Sequence, residues 1–91
     1  PLDIMKEAYA MLGAIDFLAK KGSKLAVSDA GVAVSMLRSA VCGAMMNVVI
    51  NVKYMKDRTK AQNLMDEAGD ILEDAMKKSD IIYREVLEVL L

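Results

Sequence analysis

The sequence contains no histidine and no tryptophan, and only one cysteine, one proline and one phenylalanine among its 91 residues. Without histidine it lacks the commonest metal ligand and the commonest general base near neutral pH. A single cysteine cannot close an internal disulfide, which points to a reducing compartment. Serine–histidine triads, zinc sites and disulfide scaffolds are thereby excluded. An excess of one charge is also missing: 12 Lys+Arg stand against 13 Asp+Glu, a net charge of −1. No global field draws nucleic acid or an anionic membrane. Neither a Gly-rich phosphate loop nor a paired-carboxylate motif occurs. No stretch alternates apolar with polar residues between turn signals, so strands are not expected.

Hydrophobic residues make up 55% of the chain and charged residues 27%. That composition buries enough apolar surface to exclude a disordered tail. The length allows one domain, or part of one. Apolar residues recur at helical spacing in three blocks, which predicts an all-α antiparallel bundle of three long helices.

The first block spans about 1–21. Its apolar stripe is Ile4, Ala8, Met11, Leu12, Ile15, Leu18 and Ala19. Pro1 suits the first helical position, and Gly22 suits a left-handed cap. Gly13 in its interior marks an expected close packing point. The third block starts near Asp57 and is expected to run unbroken to Leu91, with a stripe from Leu64 through Ala68, Ala75 and Ile82 to Leu90. Glu73–Lys77, Asp74–Lys78 and Asp80–Arg84 are i, i+4 pairs in the stabilising orientation.

The middle block differs. Between Leu25 and Val52 only Asp29 and Arg38 are charged. Ser28 or Asp29 is expected to cap it. The run 32–52 approaches membrane-spanning length. Arg38, Asn47 and Asn51 each oppose a span, and a helix buried in a bundle accounts for the same residues. Such a helix needs cover on nearly every side, and this chain offers only two amphipathic neighbours. The missing cover is expected from a second copy, another chain, or residues outside these 91. Small or polar residues recur every fourth position, from Gly31 through Ser35, Ser39, Gly43 and Asn47 to Asn51. The stripe reads as a tight helix–helix seam.

Asn47 and Asn51 lie one turn apart in the most apolar stretch. A buried amide without partners costs roughly 1–3 kcal/mol, so the two either pair across an interface or face a polar ligand. Asp29 is a helix cap or an anion that orients water or a cationic group. It lies 18 residues from Asn47, about 27 Å along a continuous helix, so the two cannot share a small site on one helix. An antiparallel second copy would bring the two ends together. Cys42 has no histidine to activate it and reads as a core residue.

Ser28-Asp29-Ala30-Gly31-Val32-Ala33, followed by Gly43-Ala44-Met45-Met46-Asn47-Val48-Val49-Ile50-Asn51-Val52, resembles the cyclodeaminase/cyclohydrolase family. The likeness extends over nearly all of the chain and corresponds to the C-terminal half of a family domain. The N-terminal Gly-rich Ser-Gly-Gly-Gly-Ser segment of that family has no counterpart here. The resemblance implies a dimeric, cytoplasmic protein of one-carbon metabolism. Its substrate would be a tetrahydrofolate derivative, handled without a metal. Members release ammonia from 5-formiminotetrahydrofolate, or hydrolyse 5,10-methenyltetrahydrofolate to a formyl product. On that footing Asp29 is the expected catalytic residue, and Ser28, Gly43, Asn47 and Asn51 the expected substrate-binding ones. The competing expectation is a non-catalytic helical dimerisation module derived from the family.

Overall fold

The computed structural model describes residues 2–21 and 23–91, with side chains from 18 to 21 left aside. The sequence expectations for Pro1 and Gly22, and for the burial of Leu18 and Ala19, lie outside the described residues. Three helices follow one another: α1 (Leu2–Lys21), α2 (Lys24–Lys53) and α3 (Arg58–Leu90). No strand occurs among the described residues. All three pairs of helices pack together, in a bundle measuring 50 × 17 × 15 Å. Its long axis matches the length of α3, about 50 Å at 1.5 Å per residue.

Each helix start has a local cause. Ser23, in extended conformation, accepts a hydrogen bond from the Ala26 backbone N–H at 3.3 Å and caps α2. The expected caps, Ser28 and Asp29, are therefore corrected: both lie inside the helix, in its second turn. Three capping residue types stand within seven positions, and the first can already satisfy a free N–H. Asp57 caps α3, its carboxylate accepting from Thr59 and Lys60 N–H at 3.1 Å each. The Arg58 guanidinium then reaches back to the Val52 and Met55 carbonyls at 2.8 and 3.0 Å. That clasp fixes the tight connection between α2 and α3. As expected, α3 runs unbroken through Ser79–Asp80, whose Ser79 hydroxyl is buried and donates to the Met76 carbonyl.

The core runs along the shared axis. Met5, Leu12 and Ile15 enter from α1; Val27, Val34, Val41 and Val48 from α2; Ala61, Ala68, Ala75 and Ile82 from α3. Ile4 and Met11, expected inside, face water, and Met5 takes the inner position. At the far end of α3, Val89 and Leu90 are also exposed. The i, i+4 pairs of α3 form as expected, at 3.0–3.2 Å.

Helix α2 buries only one face. Val32, Met36, Met46 and Ile50 are exposed on the other. The expectation of cover on nearly all sides thus holds within this chain for one face alone. By length and composition α2 is also apolar enough to cross a bilayer, a test that the core helix of a bundle passes too.

The stripe of small residues divides for the same geometric reason. At 3.6 residues per turn an i, i+4 row drifts by about 40° per step, so Gly31 and Asn51 end on opposite sides of α2. Among the described glycines Gly31 alone meets a neighbour closely: a Cβ there would lie 2.9 Å from Val86 Cγ1, whereas Gly13 and Gly43 have open space. Gly13 is therefore not a packing point in this chain. Gly13→Ala is expected to raise the unfolding free energy by up to about 1 kcal/mol, because alanine loses less conformational entropy in a helix. Chemical denaturation of the two proteins checks this.

Candidate functional site

The sequence-predicted residues all lie on α2. Asp29, Gly43, Asn47 and Asn51 are exposed, and Ser28 is half-buried. Eighteen residues make about five whole turns, so Asp29 and Asn47 project from the same side, with Gly43 and Asn51 within about 40° of them. This is the face left bare by α1 and α3. Among the described residues, no side-chain hydrogen bond or ion pair engages Asp29, Asn47 or Asn51. The buried-amide cost considered above does not arise in the single chain, because Asn47 and Asn51 are exposed. The fold brings these residues to one face but not to one point: Asp29 and Asn47 stay about 27 Å apart along the axis.

Two clefts lie elsewhere. The larger, about 440 Å³, separates α1 from α3 and is lined by Tyr9, Leu12, Asp16, Lys78, Ile82 and Glu85. The Oε2 atom of Glu85 is buried without a hydrogen-bond partner among the described residues. The smaller, about 220 Å³, places Arg38 beside Asp80 and Tyr83. Cys42 is half-buried against Met76, Sγ to Sδ 3.9 Å, in keeping with a packing role. No group of three or more His, Cys, Asp or Glu side chains gathers among the described residues.

At the larger cleft a polar network ties α1 to α3. The Tyr9 hydroxyl donates to Asp74 Oδ2 and accepts from Lys78 Nζ at 2.6 Å, while Lys78 also pairs with Asp74 at 3.0 Å. Lys78 lies over the Tyr9 ring, 4.8 Å from its centre. One turn earlier on α1, Lys6 pairs with Glu67 at 2.8 Å. The Glu67 carboxylate holds Lys6 above its ordinary value. The Tyr9 hydroxyl, and then Lys78, hold the Asp74 carboxyl below its ordinary value. The Tyr9 and Asp74 bonds raise Lys78. Sequence reading gave only the Asp74–Lys78 pair of this network and missed Tyr9, which stands 65 and 69 residues from its two partners.

These shifts set a pH dependence. A depressed carboxylate means that the unfolded chain binds more protons, so stability rises with pH through the Asp74 titration. The contribution is present above the ordinary carboxylate value and is lost as pH falls through the lower, folded value. The raised Lys78 contributes fully below its ordinary value, and that part is lost in strong alkali. Tyr9→Phe removes the leading cause of the Asp74 shift. The acid unfolding midpoint of the variant is therefore expected at higher pH than that of the parent, as followed by circular dichroism.

An all-α bundle with an acidic residue and two amides on one bare helical face defines a class of small helical proteins rather than a reaction. The sequence pattern of the formiminotransferase-cyclodeaminase family matches residues 1–70. The chain belongs to that family. It is 30% identical over 86 residues to the methenyltetrahydrofolate cyclohydrolase of Methylorubrum extorquens. That alignment covers 94% of this chain and 41% of the relative. No solved structure matches the chain. The chain spans less than half the length of that relative.

Proposed function

We propose that the chain supplies part of the tetrahydrofolate site of a cyclohydrolase or cyclodeaminase. In the first reaction water adds to the methenyl carbon between two folate nitrogens and one C–N bond opens to a formyl product. In the second, the folate's side-chain nitrogen attacks the formimino carbon carried by the neighbouring ring nitrogen, closing the methenyl ring as ammonia leaves. Both need a group that orients water or moves a proton, and amides that hold the polar edge of the ring system. Asp29 takes the first role. Asn47 and Asn51 take the second, with Gly43 leaving space beside them and Ser28 at the rim. A reducing, cytoplasmic setting suits the free Cys42.

The observation that carries this reading is the unpartnered state of Asp29, Asn47 and Asn51 on one exposed face of α2. Three polar side chains without partners of their own are free to engage a ligand. The competing reading, a non-catalytic interaction module, draws on the distance of about 27 Å between Asp29 and Asn47, which no single small site spans.

Loss of 5,10-methenyltetrahydrofolate absorbance, measured against its spontaneous hydrolysis, tests the choice. Acceleration by the chain is expected, with Asp29→Asn slower by at least about 100-fold, the lower range for a lost acid–base group. Asn47→Ala and Asn51→Ala are expected to weaken folate binding with the fold kept. Acceleration that survives Asp29→Asn removes Asp29 from the chemistry. No acceleration at all shifts the reading to the interaction module or to a site that residues outside these 91 complete.

A further inference from the structure

A matched spacing shapes the cleft between α1 and α3. The two helices run in the same direction, since Lys6 and then Tyr9 of α1 reach Glu67 and then Asp74 and Lys78 of α3. Tyr9 and Lys78 meet at one end of the cleft. Seven residues further on each helix, about 10.5 Å and nearly two whole turns, Asp16 and Glu85 mark the other end. Leu12 and Ile82 are buried between the two ends and form an apolar floor. Gly13 keeps the middle open, because a Cβ there would meet nothing within 4 Å. No residue of α2 lines this cleft, so it is separate from the face that carries Asp29, Asn47 and Asn51.

Glu85 is the unexplained group here. Its Oε2 atom is buried without a hydrogen-bond partner among the described residues, beside about 440 Å³ of open cleft. Buried polar atoms in native folds nearly always have partners, and a carboxylate that loses water without gaining a donor is the costly case. The space for the missing donor adjoins it. We propose that the cleft binds a small organic ammonium, its charged end hydrogen-bonded to Glu85 and its apolar stem lying on Leu12 and Ile82.

The chemistry of the walls selects that class. A hydrogen bond from a cation to a carboxylate is of the strong, charge-assisted kind. The opposite end already holds a cation: Lys78 pairs with Asp74 at 3.0 Å and donates to the Tyr9 hydroxyl. A ligand's positive charge is repelled there and drawn to Glu85, which sets the orientation. Asp16, engaged in an interaction of its own, adds a carboxylate at the Glu85 end. An anionic ligand would meet like charge at that end. A hard metal ion needs several oxygen donors, whereas no group of three or more His, Cys, Asp or Glu side chains gathers among the described residues. The inference does not rest on the folate reading, which concerns another face of the bundle.

Benzylammonium chloride is the probe, titrated into the isotope-labelled chain and followed by amide NMR. Saturable shifts are expected at Leu12, Gly13, Asp16, Ile82 and Glu85. Benzyl alcohol has the same ring without the charge, and is expected to bind at least about tenfold more weakly. Glu85→Gln is expected to weaken benzylammonium by a similar factor. Gly13→Leu fills the middle of the cleft and is expected to abolish binding. Circular dichroism checks that both variants stay helical. Should Glu85→Gln lose its fold, the comparison with benzyl alcohol and the Gly13→Leu variant decide the matter. The absence of saturable shifts overturns the proposal. So does equal binding of the alcohol, undiminished binding by Glu85→Gln, or the same shifts with sodium chloride at equal concentration.

Discussion

Met5→Ala is expected to lower the unfolding free energy by about 2–5 kcal/mol, a large part of the total stability of a small domain. Met5 is 0% exposed, whereas its neighbour Ile4 is 60% exposed. Deleting the Met5 side chain leaves a void among packed atoms and removes the deepest anchor of the shortest helix. Ile4→Ala, by contrast, should change stability by no more than about 0.5 kcal/mol. Urea unfolding of the two variants separates them. Equal effects would mean that α1 does not present the face described here.

Gly31→Val is expected to cost about 1–3 kcal/mol, the usual range for overpacking a filled core. Even a bare Cβ at this position approaches Val86 Cγ1 to 2.9 Å. Val86 cannot swing aside readily, because a β-branched side chain in a helix keeps one preferred rotamer. The matched test is Val86→Ala in the Gly31→Val background. If the clash is the cause, the double variant is more stable than the sum of the two single losses predicts. An additive result would place the cost elsewhere.

The parts of this fold legible in the sequence are those fixed by neighbours a few residues apart. Helix α3 begins at its Asp57 cap and carries its i, i+4 pairs because both features are local. The start of α2 was not legible, since Ser23, Ser28 and Asp29 are all competent caps and only the chain path selects among them. In α1 the adjacent pairs Ile4–Met5 and Met11–Leu12 allow two phases of the apolar stripe. Packing against α2 and α3 selects Met5 and Leu12.

The candidate site was legible as residue types and not as an arrangement. That Asp29 and Asn47 point the same way follows from helix geometry, and so does their separation. That their face is bare depends on where α1 and α3 dock. In the Tyr9–Asp74–Lys78 network only the Asp74–Lys78 pair had a local signature; the part of Tyr9 exists only once α1 meets α3.

The clasp of Arg58 and the bridge from Tyr9 also set an expected order of folding events. The turn between α2 and α3 closes a short loop, held by Arg58 on Val52 and Met55 and by the Asp57 cap. Hairpins of this kind form early, since little chain entropy is lost in closing them. Contacts between α1 and α3 join residues 65 and 69 positions apart and come later. Run backwards, the same order makes α1 the first helix to leave. Amide protons of α1 are therefore expected to exchange with solvent at a lower opening free energy than those of the α2–α3 hairpin. At the instant α1 opens, the buried faces of α2 and α3 that it covers are uncovered with the helical hairpin still standing.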